Sequence, residues 1–234
     1  MNSNSHAGRR VTLSLAGLLA VFSMAVVLAV AGTHEGHADD GHSHANAAAV
    51  TAKTTAKQAA FQDAMRKLWE DHVTWTRLAI ISFAHDLPDL PATQDRLLRN
   101  QVDIGDAIKP YYGDAAGDQL TALLKEHIVG AVALMTAAKA GNDALIKQRT
   151  DEWYVNGNEI ADFLHEANPR NWSQESMREM MKGHLDQTLS EAVNRLTGNY
   201  ADDVRDYDEI HEHILMMADS LSQGIIKQFP RRFR

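Results

Sequence analysis

Three histidines, His72, His127 and His184, recur at intervals of 55 and 57 residues. Each is followed 34 or 35 residues later by an aspartate: Asp106, Asp162 and Asp219. Neutral imidazole is the commonest side-chain metal ligand, and a carboxylate is its usual orienting partner. If the chain brings the three histidines to one axis, three imidazoles with an open fourth position describe a zinc or copper site. If it does not, each histidine makes a hydrogen bond inside its own repeat, with its aspartate as the natural acceptor.

The surroundings recur with the pair. Met65, Leu120 and Met177 precede the histidines by seven residues, and Leu68, Leu123 and Met180 by four. The aspartates end the strings NQVDIGD, NGNEIAD and HILMMAD, and Gly141-Asn142 and Gly198-Asn199 follow the second and third histidines by fourteen residues. Self-similarity with a period near 56 residues marks a unit that cannot bury its apolar face alone and must stack on its neighbours.

Two other groups carry ligand chemistry. His34, His37, His42 and His44 fall within eleven residues, interleaved with Glu35, Asp39 and Asp40. A flexible chain of this kind can wrap imidazoles around zinc, copper, nickel or cobalt; it suits capture or buffering, because catalysis needs pre-organised ligands. Near the C-terminus, Tyr207, Asp208, His211, His213, Met216, Met217 and Asp219 lie within thirteen residues. Asp162-x-x-His165 and Asp208-x-x-His211 echo the carboxylate-x-x-His step of ferritin-like di-metal oxidases, with Asp in place of the usual Glu. Met180-Met181 and Met216-Met217 are soft enough for Cu(I), although at helical spacing methionine commonly fills core.

The elements that must position these residues read as helices. Phe61, Met65, Leu68, His72, Thr76, Ala79 and Phe83 form one stripe at three- and four-residue steps, so His72 occupies an apolar position where it needs a partner. The pattern predicts six helices: from residue 58 to before Pro88, then about 92–109 (stopping at Pro110), 115–140, 143–167, a fifth capped by Ser173 and ending at Gly198, and 201–228. No window alternates as a strand does. The fold expected is all-α, a six-helix domain over 58–234 made of three helical-hairpin repeats. The hairpins either close around a pseudo-threefold axis or stack as a short solenoid; only closure brings the histidines together.

Residues 1–32 combine Arg9-Arg10 with an uncharged apolar stretch, 11–32, ending in the small residues Ala29-Val30-Ala31. That is a cleaved signal peptide or a retained membrane anchor, and either way the remainder is exported. A His-rich linker, 33–57, lacks apolar periodicity, which predicts disorder. The chain has no cysteine, so thiolate chemistry is excluded. A net charge of −8 with no basic stripe excludes nucleic acid as a partner and favours cations. There is no phosphate-binding glycine loop, dinucleotide fingerprint, nucleophile elbow or HExxH, so a nucleotide is not expected either.

The strings LWEDHVTWTR (68–77), LLRNQVDIGDAIKPYYGDAAG (97–117), LTALLKEHI (120–128) and ILMMADSLSQGIIKQFP (214–230) resemble an uncharacterised family of bacterial all-helical proteins from bacilli and actinobacteria, over about residues 60–230. Its members sometimes carry the labels glycosyltransferase or acetylglutamate kinase. Both activities require nucleotide-binding α/β folds, which this sequence does not offer. The resemblance implies the helical domain and no activity. The expectation is an extracytoplasmic protein that captures or buffers a divalent transition metal, zinc or copper. The alternatives are a cell-surface structural or interaction module without metal in the helical domain, and a ferritin-like di-metal oxidase.

Overall fold

The computed structural model describes residues 54–234. They form six α-helices: α1 (Ala56–Ala84), α2 (Leu90–Tyr112), α3 (Asp114–Lys139), α4 (Asp143–Ala167), α5 (Gln174–Thr197) and α6 (Tyr200–Gln228). A 3₁₀ turn, Pro230–Phe233, follows, and there is no strand among the described residues. The apolar segment 11–32 and the linker histidines lie outside the described residues. The linker's last residues do not: Thr55 caps α1 by accepting from the Gln58 N–H, so helix begins at Ala56 rather than 58.

Each helix packs against the one before and the one after it, and α6 packs against α1. The three hairpins α1–α2, α3–α4 and α5–α6 therefore close into a ring, and the stacked solenoid is ruled out. The cap of α1 meets the turn after α6 where the ring closes: the Thr55 hydroxyl donates to the Phe233 carbonyl at 2.6 Å. Phe233 is buried there against Phe61 and Tyr111, with Phe229 and Tyr112 alongside. This aromatic end continues into the main core, which includes Met65, Trp69, Ile104, Leu120, Ile160, Met177, Ile214 and Ile225. A smaller apolar cluster, Ile80, Met135 and Ala192, lies toward the opposite end.

The turns show why three dissimilar loops perform one task. Gly141 (φ 65°) and Gly198 (φ 81°) enter the left-handed region fourteen residues after His127 and His184. Fourteen residues after His72 stands Asp86, which adopts the same conformation (φ 53°) without being glycine. An aspartate tolerates that region better than most residues, and Lys139 of α3 holds its carboxylate at 2.6 Å. Pro110 departs from expectation. It lies inside α2, which continues to Tyr112 and ends at Gly113. Only the last, already weakened turn bears the lost N–H, so the helix is not stopped.

α3 is long and apolar enough by composition to cross a membrane. It nonetheless carries His127 into the interior and packs on both α2 and α4, as a core helix of the bundle does.

Candidate functional site

Ring closure turns α1, α3 and α5 so that His72, His127 and His184 face the interior, each at most 4 % exposed. The His184 ring lies between the other two, 5.6 Å from that of His72 and 6.1 Å from that of His127, centroid to centroid. Trp153 stacks on His127 at 5.1 Å, and Trp69 meets His72 edge-on at 5.9 Å. Burial holds all three imidazoles neutral: His72 is lowered to about 3, with His127 adding to the effect, and His127 to about 4. His184 is lowered well below the ordinary histidine range by burial and by its neighbours His72, His127 and His213.

The histidines do not meet their aspartates, which corrects the expected pairing. The first residue of each recurring string, rather than the last, reaches the helix that carries the histidine, and it bonds the backbone one turn before the ring. Asn100 donates to the Leu68 carbonyl at 3.0 Å, Asn156 to the Leu123 carbonyl at 3.2 Å, and His213 Nε2 to the Met180 carbonyl at 3.0 Å. In all three hairpins the acceptor is the residue four before the histidine. The step from histidine to this backbone-bonding residue is 28 or 29 residues, legible in the sequence once the polar residue at the start of each string is compared instead of the shared Asp.

Two amides, Asn156 and Gln101, set the tautomers of the rings they meet. Asn156 spends its N–H on Leu123, so its Oδ1 faces His127 Nδ1 at 3.1 Å as an acceptor. His127 is then protonated on Nδ1 and carries a lone pair on Nε2, the state in which histidine ligates a metal. His72 is the reverse. Gln101 Nε2, which donates to the Leu97 carbonyl at 2.8 Å and to Asn100 Oδ1 at 3.2 Å, also approaches His72 Nδ1 at 3.3 Å and has no lone pair to offer, so His72 Nδ1 presents its own lone pair and Nε2 carries the proton. His184 Nδ1, Gln101 Oε1 and Trp69 Nε1 are buried without a partner. Each such atom costs about 1–3 kcal/mol and marks a place where a polar ligand would be rewarded.

The aspartates build the ring instead. Asp162 of α4 receives both Nε and Nη2 of Arg178 on α5, at 2.8 and 2.7 Å, and also Gln174 at 2.9 Å; Arg178 and Gln174 hold its carboxyl below the usual aspartate range. Asp219 of α6 receives the same fork from Arg66 of α1, at 2.7 and 2.6 Å. Both arginines stand six residues before a histidine. At the α2–α3 junction that position is Thr121, and Asp106 pairs with Lys109, which reaches on to Asp118. The small residue before each aspartate lets the neighbouring helix approach. Gly105 faces Thr121 and Gly117 so closely that a Cβ there would lie 2.5 Å from the Gly117 carbonyl oxygen.

The remaining candidate ligands are dispersed. His211 Nε2 meets Glu70 at 3.0 Å on a partly exposed surface, and Asp208 is exposed. His165 Nδ1 donates to the Trp172 carbonyl at 2.8 Å. The two Asp-x-x-His steps therefore do not converge as a di-metal set. As the rings stand, no group of three or more His, Cys, Asp or Glu among the described residues is arranged to hold a metal ion. A shared ion requires the rings to turn. His184 has no Nδ1 bond to lose, and His127 already offers Nε2. His72 needs the Gln101 amide to turn over, placing the unpaired Oε1 against Nδ1–H.

What the fold and site define is a closed six-helix bundle with a buried histidine cluster at its axis. No family model matches the chain, no curated protein is similar to it, and no solved structure resembles it.

Proposed function

We propose that this is an extracytoplasmic metal-binding protein that captures or buffers a divalent transition metal, zinc or copper. The apolar segment 11–32 serves for export, as a cleaved signal or a retained anchor. His34, His37, His42 and His44 collect the ion, and His72, His127 and His184 hold it in the bundle. The observation that carries the reading is the placement of two neutral, buried imidazoles, His72 and His127, beside that of His184, whose Nδ1 has no partner. An all-imidazole donor set in an apolar surround suits zinc or copper and not magnesium or calcium, which call for oxygen.

The test is equilibrium dialysis of the mature protein against zinc and, under reducing conditions, copper, alongside a variant with the four linker histidines changed to alanine and a separate His184→Gln variant. The linker variant should keep one tight site and His184→Gln should lose it. Binding no tighter than ~10 µM in every form ends the proposal.

The second reading is a cell-surface structural or interaction module with no metal in the bundle. The amide bonds to His72 and His127 favour it, because two of the three rings already have a partner in their own hairpin. Under this reading His127→Gln leaves all metal binding unchanged.

A further inference from the structure

Where α1, α5 and α6 meet at the end of the bundle opposite Phe233, five charged residues are packed into the interior. Glu191 is 1 % exposed, Asp203 is fully buried and Asp206 nearly so; Arg77 and Arg195 bring their guanidinium groups in from α1 and α5. Asp203 receives Arg77 Nη1 and Nη2 at 3.1 and 3.2 Å and Arg195 Nη1 at 3.1 Å. Asp206 accepts from the Ser190 hydroxyl at 2.8 Å and from Asn194 at 2.7 Å. Glu191 has one contact, 2.6 Å from Arg77 Nη1, and shares that nitrogen with Asp203. Arg77 also lies over the Tyr207 ring, and Arg195 over that of Tyr200.

Three carboxylates thus face two guanidinium groups, and the unbalanced charge falls on the carboxylate with the fewest donors. A buried carboxylate left undercompensated takes up a proton rather than stay ionised. We propose that this corner is a proton-binding site of the folded protein, in which Glu191 is held as the neutral acid beyond the ordinary carboxylate range and releases its proton to solvent as the pH rises further, weakening the junction of α5 with α1 and α6. The junction joins the helices that carry His72 and His184, with Glu191 two helical turns beyond His184. The electrostatics agree: burial pushes the Glu191 carboxyl up to about 7, Asp203 and Asp206 add to the rise, and Arg77 opposes it.

The sign follows by linkage. The folded carboxyl holds its proton to a higher pH than the unfolded one, whose ordinary value is about 4.3. Its contribution to stability is therefore complete below that value, is lost as the pH climbs to about 7, and is level above. The test compares urea unfolding of the full chain and of Glu191→Gln from pH 5.5 to 8. Because the histidines are common to both, the ratio of the two folding constants isolates Glu191. That ratio (wild type over variant) should fall at least tenfold between pH 5.5 and 7.5 and then level. A ratio that does not change with pH overturns the proposal. If Glu191→Gln does not fold, carboxyl ¹³C NMR of the wild-type chain decides: a Glu191 resonance titrating near 7 supports the site, and one titrating below 5 overturns it.

Discussion

Asp219 of α6 grips Arg66 of α1 through two parallel hydrogen bonds of 2.7 and 2.6 Å, tying the last helix of the ring to the first. The same fork joins Asp162 to Arg178 one hairpin earlier. Two of the three inter-hairpin junctions thus use one device. Its bidentate geometry sets register, and its partial exposure keeps its contribution to stability small.

Breaking the closing pair should leave the fold standing. Asp219→Asn is expected to cost less than about 1 kcal/mol, and the loss should shrink further at high salt. Urea unfolding at low and high ionic strength checks this; a loss several times larger, insensitive to salt, would show that the pair does more than clasp the surface.

The α2–α3 junction should be far less tolerant. Gly105→Ala drives a methyl into the Thr121 side chain and within 2.5 Å of the Gly117 carbonyl oxygen, which is backbone and cannot swing away. Overpacking of that kind costs about 1–3 kcal/mol. Thermal unfolding of Gly105→Ala beside Gly113→Ala separates the two effects, since a Cβ at Gly113 meets nothing and is penalised only for its φ of 86°. If Gly105→Ala is neutral, the helices do not approach as closely as described.

The histidine cluster should make the protein acid-sensitive. Burial lowers all three, so the unfolded chain binds protons below about 6.5 while the folded one does not until about 4 for His127 and about 3 for His72. Stability from these groups is complete above about 6.5 and lost as the pH falls toward the folded values, by roughly 1.4 kcal/mol per pH unit for each independent histidine. His127→Gln should flatten the slope between pH 6 and 4.5 by about one such increment. Parallel slopes for wild type and variant would mean that His127 is not held neutral.

The turn after α1 should be the weakest of its kind. Gly198→Ala puts a side chain at φ 81° and should cost on the order of 1 kcal/mol. Asp86→Gly removes the same penalty from φ 53° while giving up the exposed pair with Lys139, for a net gain below about 1 kcal/mol. Calorimetric midpoints of the two variants should therefore move in opposite directions.

The helices, their caps at Ser173 and Gly198 and the interior placement of His72, His127 and His184 were legible in the sequence, because three- and four-residue spacing of apolar groups is a local signal. The role of the repeated aspartates was not. Their recurrence beside the histidine pattern invited a His–Asp pair, whereas each side chain's partner depends on which way its helix is turned in the ring. Asp106, Asp162 and Asp219 sit on the outer seam, where Lys109, Arg178 and Arg66 reach them. Nothing in the spacing of Arg77, Glu191 and Asp203 announces that charged residues from three helices share one buried corner.

Local pattern alone determined six helices and the inward position of three histidines, since the burial of a helix face is written in its periodicity. Whether those histidines meet depended on contacts more than a hundred residues apart, such as Asp219 with Arg66 and Thr55 with Phe233. Such contacts form only when α6 returns to α1, and no local window contains both partners. Closure then placed His184 beside His72 and His127, assigned their hydrogen bonds to Asn156 and Gln101 in place of the aspartates, and left His184 Nδ1 unpaired.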